Sequence, residues 1–324
     1  MSGLETHHLL FVAETTTPLE LDDHSGSALR GSLFDAVWKR FCTNRAAATC
    51  FDCPLHDLCP VSALVAPLRE ENVRGRDVPR PYIILPPLGE ARRYEKGKEL
   101  LFGLTLFGNI VQLLPYILLS VPLIERFGLG KRVGERGNQR GLFKVKRIES
   151  YHPLSKQRQT IYTAEKPLVG VPALVVTPEE VKTKAATLPT DTITLRFLTP
   201  TRITERAHPI RKAAFRPLIW RLLERFNALQ HEYGGGSDEE CIVSDQRRYI
   251  DLADTVRCVE DGTHWEEVYS YSYRQKSSSP IGGLIGQATF AGDLTPFREL
   301  LTWGELMHVG KNCVKGNGWY TIEA

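Results

Sequence analysis

The chain has 324 residues, 42% of them hydrophobic and 24% charged, with a formal net charge of +3. That length suits about two domains with real cores, and the composition excludes global disorder. The small net charge conceals two basic blocks: eight Lys or Arg against one acid from Arg126 to Arg147, and seven against two from Arg202 to Arg225. Each block is either a solvated face or a surface for a polyanion, and their recurrence favours the polyanion.

The opening stretch MSGLETHHLL carries no basic region ahead of an apolar run, so a cytoplasmic location is expected. Apolar alternation in HHLLFVAETTTPLEL predicts a first strand. SALRGSLFDAVWKRF follows with Leu29, Leu33, Phe34, Val37, Trp38 and Phe41 at helical spacing. Four cysteines come next: Cys42, Cys50, Cys53 and Cys59, in a loop over residues 42–59. A C-x2-C turn followed by a third thiol, with Cys42 returning from the helix end, fits a closed structural zinc site. The alternative is a set of reduced thiols. The remaining cysteines, Cys241, Cys258 and Cys313, are scattered and read as structural. RPYIILPP and KELLFGLTLFG predict two more strands. Residues 100–130 are nearly apolar enough to cross a bilayer, but Gly103, Gly108, Asn109, Gln112, Pro115 and Pro122 interrupt them. A buried strand and a broken core helix are expected there, and no membrane. A glycine-rich basic loop, FGLGKRVGERGNQRGLF, leads into the strand LFKVKRIES. The order is β-α-β-β-α-β, the ferredoxin-like plan, over residues 1–150.

Residues 151–189 are rich in Pro, Thr and Lys and read as a connector. The plan then repeats over 190–324. DTITLRFLTP alternates as a half-buried strand, and AAFRPLIWRLLERFNALQHEYGGG is a helix with an apolar stripe ended by glycines. EEVYSYSYRQK and IGGLIGQATFAG are the expected middle strands, with Tyr269, Tyr271 and Tyr273 on one face, read as core under a helix in preference to a base-stacking surface. The helix TPFRELLTWGELM, a second glycine loop over 308–320, HVGKNCVKGNGWY, and the strand WYTIEA close the repeat. The expected fold class is therefore α+β, two tandem ferredoxin-like domains of the RRM kind, each with a glycine-rich loop before its last strand.

Glycine lets successive backbone N–H groups turn toward one ligand and lets that ligand come close. Here the loops follow a helix and precede a strand, unlike nucleotide-binding phosphate loops, which suits a phosphodiester backbone. On that reading Lys131, Arg132, Arg136 and Arg140 in the first loop, and Gly310, Lys311, Lys315, Gly316 and Gly318 in the second, contact RNA; Arg202 and Arg206, together with Arg211 and Lys212, after the second domain's first strand are either a surface for the RNA backbone or a solvated cationic loop.

Two ferredoxin-like halves with such loops resemble the RAMP superfamily of CRISPR-associated proteins. Three stretches resemble its pre-crRNA-processing endoribonucleases of the zinc-knuckle-bearing branch: GSALRGSLFDAVWKRFC with CFDCPLHDLCP, FLTPTRI, and IGGLIGQATF with MHVGKNCVKGNGWY. One departure is Ser32-Leu33-Phe34-Asp35 after LRG, where relatives often carry a more glycine-rich turn. The resemblance implies recognition of CRISPR repeat RNA (pre-crRNA) and one cut per repeat by metal-independent attack of a 2′-hydroxyl, leaving a 2′,3′-cyclic phosphate. No catalytic cofactor is implied, with zinc at most structural, and a CRISPR effector complex is the implied partner. His24, flanked by Asp22 and Asp23 that favour its imidazolium, is a candidate general acid or an exposed loop histidine. His308 matches the family signature's histidine and either meets the RNA or caps the preceding helix. Lys39, with Arg40 beside it, is a candidate for charge on the phosphorane; His7, His8 and His231 are further candidates. Two rival readings are a non-catalytic RAMP subunit that binds crRNA in an effector complex and a metal-stapled scaffold working through protein contacts.

Overall fold

The computed structural model describes residues 3–22, 25–67, 78–89, 92–133, 137–166, 169–235, 245–272 and 277–323. The chain divides into two compact units, one of residues 6–152 and 156–175, the other of residues 1–5, 153–155 and 176–324.

In the first unit β1 (Thr6–Thr15) leads to α1 (Ser25–Phe41), then β2 (Tyr82–Leu85), β3 (Glu99–Phe107), α2 (Leu114–Phe127), β4 (Phe143–Tyr151) and β5 (Arg158–Thr163). The antiparallel sheet runs β2-β3-β1-β4-β5. Without the added edge β5, that is the ferredoxin order, with the first strand between the third and the fourth. Register places Leu9 opposite Leu104, and Phe11 opposite Phe102 and Ile148. Phe11 and Phe102 stack at 5.0 Å, and Leu29, Leu33, Ile117 and Val145 close the core over them. By length and composition alone the helical segment Gly108–Phe127 is apolar enough to cross a membrane. In this fold it packs on α1, and Leu114, Ile117, Ser120 and Glu125 are buried.

In the second unit α3 (Pro178–Ala186) starts with a capping box, in which Thr177 and Glu180 satisfy each other's backbone N–H. β6 (Thr192–Thr201), α4 (Phe215–Tyr233), α5 (Gln246–Ala253), β7 (Arg257–Asp261), β8 (Gly283–Ala291), α6 (Arg298–Met307) and β9 (Tyr320–Glu323) follow. The sheet runs β7-β8-β6-β9, the same order again. The core holds Leu195, Phe197, Leu222, Phe226, Phe290, Phe297, Trp303 and Tyr320.

Three expectations are corrected. The second strand of this sheet is β7, not EEVYSYSYRQK. β7 is an edge strand, largely exposed and polar, so it carries no apolar alternation. Tyr269–Ser272 instead pairs with Ser277–Pro280 in a separate two-stranded ribbon. Tyr269 is consequently 65% exposed rather than core; the Tyr271 side chain and Tyr273 lie outside the described residues. The first glycine-rich segment is also more ordered than a loop, since Leu129–Val133 and Gln139–Gly141 pair as a hairpin.

Candidate nucleic-acid interface

The second glycine segment is built by its own hydrogen bonds. Val309 N donates to Gly318 O at 3.0 Å, Gly318 N to Pro200 O at 3.2 Å, and Lys311 N to Arg202 O at 3.0 Å. Asn317 Nδ2 donates to Pro200 O and Ile281 O at 3.1 and 2.8 Å, and Thr199 Oγ1 to Gly316 O at 2.8 Å. Gly310 and Gly318 have φ of +87° and +73°, and a Cβ on either would overlap a carbonyl, Arg202 O for Gly310 and Val309 O for Gly318. Glycine is needed here for close approach of backbone to backbone, and the loop arrives pre-shaped.

His308 sits inside this construction. Its ring is fully buried, stacks on Trp319 at 5.5 Å, and shares a 3.1 Å hydrogen bond between Nδ1 and Asn317 O. Its backbone ends α6 at φ +58°, ψ 172°, a conformation otherwise reserved for glycine. A ring so enclosed braces the loop from within.

The cations lie outside. Lys311 is exposed, and Lys315 Nζ reaches Ser270 Oγ at 3.4 Å. Arg202, whose carbonyl holds the loop, donates from Nη1 to Gly282 O at 3.3 Å and lies 5.5 Å from the Trp265 ring centroid. Arg206, at φ +48°, is exposed at the turn joining Thr204–Glu205 to His208–Pro209. The second unit thus gathers Arg202, Lys311, Lys315, Gly310, Gly316 and Gly318 around one loop. Arg211, expected on the same RNA-binding surface, places its guanidinium 3.8 Å from the ring centroid of Trp265, a neighbour that sequence reasoning missed. No sequence spacing links them, because the contact crosses from the segment before α4 to the strand His264–Glu266.

In the first unit, the 129–141 hairpin carries Lys131, Arg132 and Arg140. Lys131 pairs with Glu20 at 2.9 Å, Arg132 is exposed and Arg140 is half-buried. Gly130, at φ +82°, lets the hairpin lie directly against the Glu20 backbone. Lys39 is exposed on the last turn of α1, its Nζ 4.4 Å from the Phe127 ring centroid. His24 and Arg136 lie outside the described residues. His7 and His8 are buried in β1. His8 meets hydroxyls at both nitrogens, Thr6 Oγ1 at 2.9 Å and Thr105 Oγ1 at 3.0 Å. Burial, then the charges of His7 and His152, lowers the His8 pKa to about 3; burial lowers that of His7 to about 4.

Cys42, Cys50, Cys53 and Cys59 are all half-buried. Burial first, then the charges of the other three thiols, raises the Cys50 pKa. Cys53 Sγ accepts from Asn44 Nδ2 at 3.5 Å. Zinc requires donors converging on one point at about 2.3 Å. Among the described residues no three His, Cys, Asp or Glu groups are so gathered. The donor chemistry suits zinc, and the four thiols lie near enough to one another for the other three to raise the Cys50 pKa.

The chain thus consists of two tandem ferredoxin-like units, the second carrying a braced glycine loop ringed by cations. Residues 4–174 match the family of the AF_1859_N N-terminal domain, more than half of the chain, and the chain belongs to that family. Residues 195–320 match the family of the CRISPR-associated endoribonuclease Cas6. Among solved structures, Thermus thermophilus Cas6 aligns over the whole of both chains with a TM-score of 0.55 at 12% identity. A Cas6 product complex aligns equally fully, at 0.55 and 15%. A partial Cas6-RT-Cas1–Cas2 complex gives 0.58 at 13%, covering 99% of this chain and 46% of that one. At such identities the likeness is one of fold. No curated protein matches the sequence.

Proposed function

We propose that the chain cuts CRISPR repeat RNA in the cytoplasm, once per repeat and without a catalytic metal, turning pre-crRNA into crRNA for an effector complex. The 2′-hydroxyl beside the scissile phosphate loses its proton and attacks phosphorus. The bond to the 5′-oxygen breaks and that oxygen takes a proton, leaving a 2′,3′-cyclic phosphate and a 5′-hydroxyl. His24, just ahead of α1, is the proposed proton carrier, and Lys39 supplies charge to the phosphorane. His308 is assigned a positioning role, because it is buried within the loop that carries Lys311 and Lys315. Arg202, Arg206, Lys131, Arg132, Arg136 and Arg140 are the proposed contacts to the RNA backbone. The observation that carries this reading is the Cas6 match across 195–320, which spans the glycine loop and the Arg202 carbonyl that anchors it. A relative's structure as a product complex supports RNA as the ligand.

The test is incubation with the RNA of the associated CRISPR repeat in excess EDTA, beside the same RNA carrying one 2′-deoxy nucleotide at the cut. One discrete cut is expected, unaffected by EDTA and abolished by the deoxy substitution. Tight binding without a cut would favour the crRNA-binding subunit instead. Absence of binding at low salt would remove the RNA reading.

A further inference from the structure

Beside the glycine loop lies a group of side chains that phosphate contacts alone do not explain. Trp265 stands on the strand His264–Glu266, which pairs with the start of β8 so that Trp265 faces Leu284. Trp265 is half-buried, and among the described residues its buried Nε1 has no hydrogen-bond partner. The indole is therefore held by its faces and edges. The Arg211 guanidinium lies 3.8 Å from the ring centroid, a stacking distance, while Arg211 Nη1 donates to Glu267 Oε1 at 3.2 Å. That ion pair fixes the guanidinium from one side and leaves the residue exposed. Arg202, on the same ring at 5.5 Å, is also the residue whose carbonyl receives Lys311 N. Further along the same run, exposed Tyr269 precedes Ser270, the partner of Lys315. Arg202 thus links the aromatic ring, with the planar Arg211 cation over it, to the glycine loop that carries Lys311 and Lys315.

We propose that Trp265 and Arg211 form a stacking platform for one unpaired base of the bound RNA, beside the glycine loop that holds its backbone. This rests on the RNA reading above and adds the part of the substrate that is recognised: a single-stranded nucleotide, not a paired one. An ordinary cationic patch needs only charge. A platform needs a plane, because bases stack on aromatic rings and on guanidinium planes, and a paired base already has its faces covered.

Arg211→Lys keeps the charge and removes the plane, and its exposed position makes misfolding a minor concern; Trp265→Leu removes the ring, and Trp265→Phe restores one. Affinity would be measured for a short single-stranded RNA and for the same strand annealed to its complement, across a salt series. The platform predicts that Arg211→Lys and Trp265→Leu each weaken single-strand binding about tenfold, with the salt slope unchanged. Duplex binding should hold, and Trp265→Phe should recover most of the loss. Unchanged single-strand affinity in Arg211→Lys, or an equal loss on duplex, would overturn the platform while leaving the RNA reading intact. Failure of the unmodified protein to bind either RNA would remove both.

Discussion

At the scale of single residues, burial in β1 favours the neutral form of His7 and His8. Burial, joined at His8 by the charges of His7 and His152, lowers the folded pKa values of His8 and His7 to about 3 and about 4 against an ordinary 6.5. The unfolded chain therefore binds more protons in the interval between those values. Their contribution to stability is complete above about pH 6.5 and is lost as pH drops through the window toward 4 for His7 and 3 for His8. Each site contributes a slope of about 1.4 kcal/mol per pH unit inside its window. Urea midpoints at pH 7.5, 6 and 5 should fall progressively. In His8→Gln, whose amide can still meet Thr6 and Thr105, the decline should be shallower by one proton. Equal slopes for the two proteins would show that His8 is not a source of the acid sensitivity.

At the scale of elements, the glycines divide by what surrounds them, and sequence alone does not separate them. Gly318 needs its missing Cβ twice, for φ +73° and for the Val309 carbonyl packed against it, whereas Gly137 needs it for φ +64° only and has open space around it. Gly318→Ala is expected to cost more than about 2 kcal/mol and to reduce RNA affinity at least tenfold by displacing Lys311 and Lys315. Gly137→Ala should cost about 1 kcal/mol, the backbone term alone. Calorimetry and RNA titration of the pair test this, and comparable losses would refute it. The same contrast marks how far the sequence could be read. Periodicity exposed β1, α1, β6 and α4, because each buries one clear face. It failed for β7, whose largely exposed edge has no face to mark, and for the ribbon from Tyr269, where alternation arose outside the core. Composition located both glycine segments, but not the fact that the second spends its backbone bonds on Pro200, Arg202 and Val309. The Arg211–Trp265 contact depended on chain folding and left no local trace.

At the scale of the whole molecule, one plan is used twice, and the chain's first residues belong to the second copy. Leu4 is fully buried in the unit formed with residues 176–324, and its N–H donates to the Gln230 side chain at 2.8 Å, while Gly3 packs on Pro178. The second copy thus draws a core side chain and a buried hydrogen bond from a segment far away in sequence, whereas the first begins only at Thr6. Loss of a buried leucine costs about 2–5 kcal/mol through lost transfer energy and the cavity left behind. Leu4→Ala should therefore weaken the C-terminal unit although the substitution is N-terminal. Native-state hydrogen exchange resolves the two units because amides report the local unit in which they open. Amides of β6, β8 and α4 should lose protection by the full cost of the substitution, and those of β1, β3 and β4 should keep theirs. Equal loss in both sets would mean that the units unfold as one. Loss confined to β1 and its neighbours would mean that Leu4 serves the first copy after all.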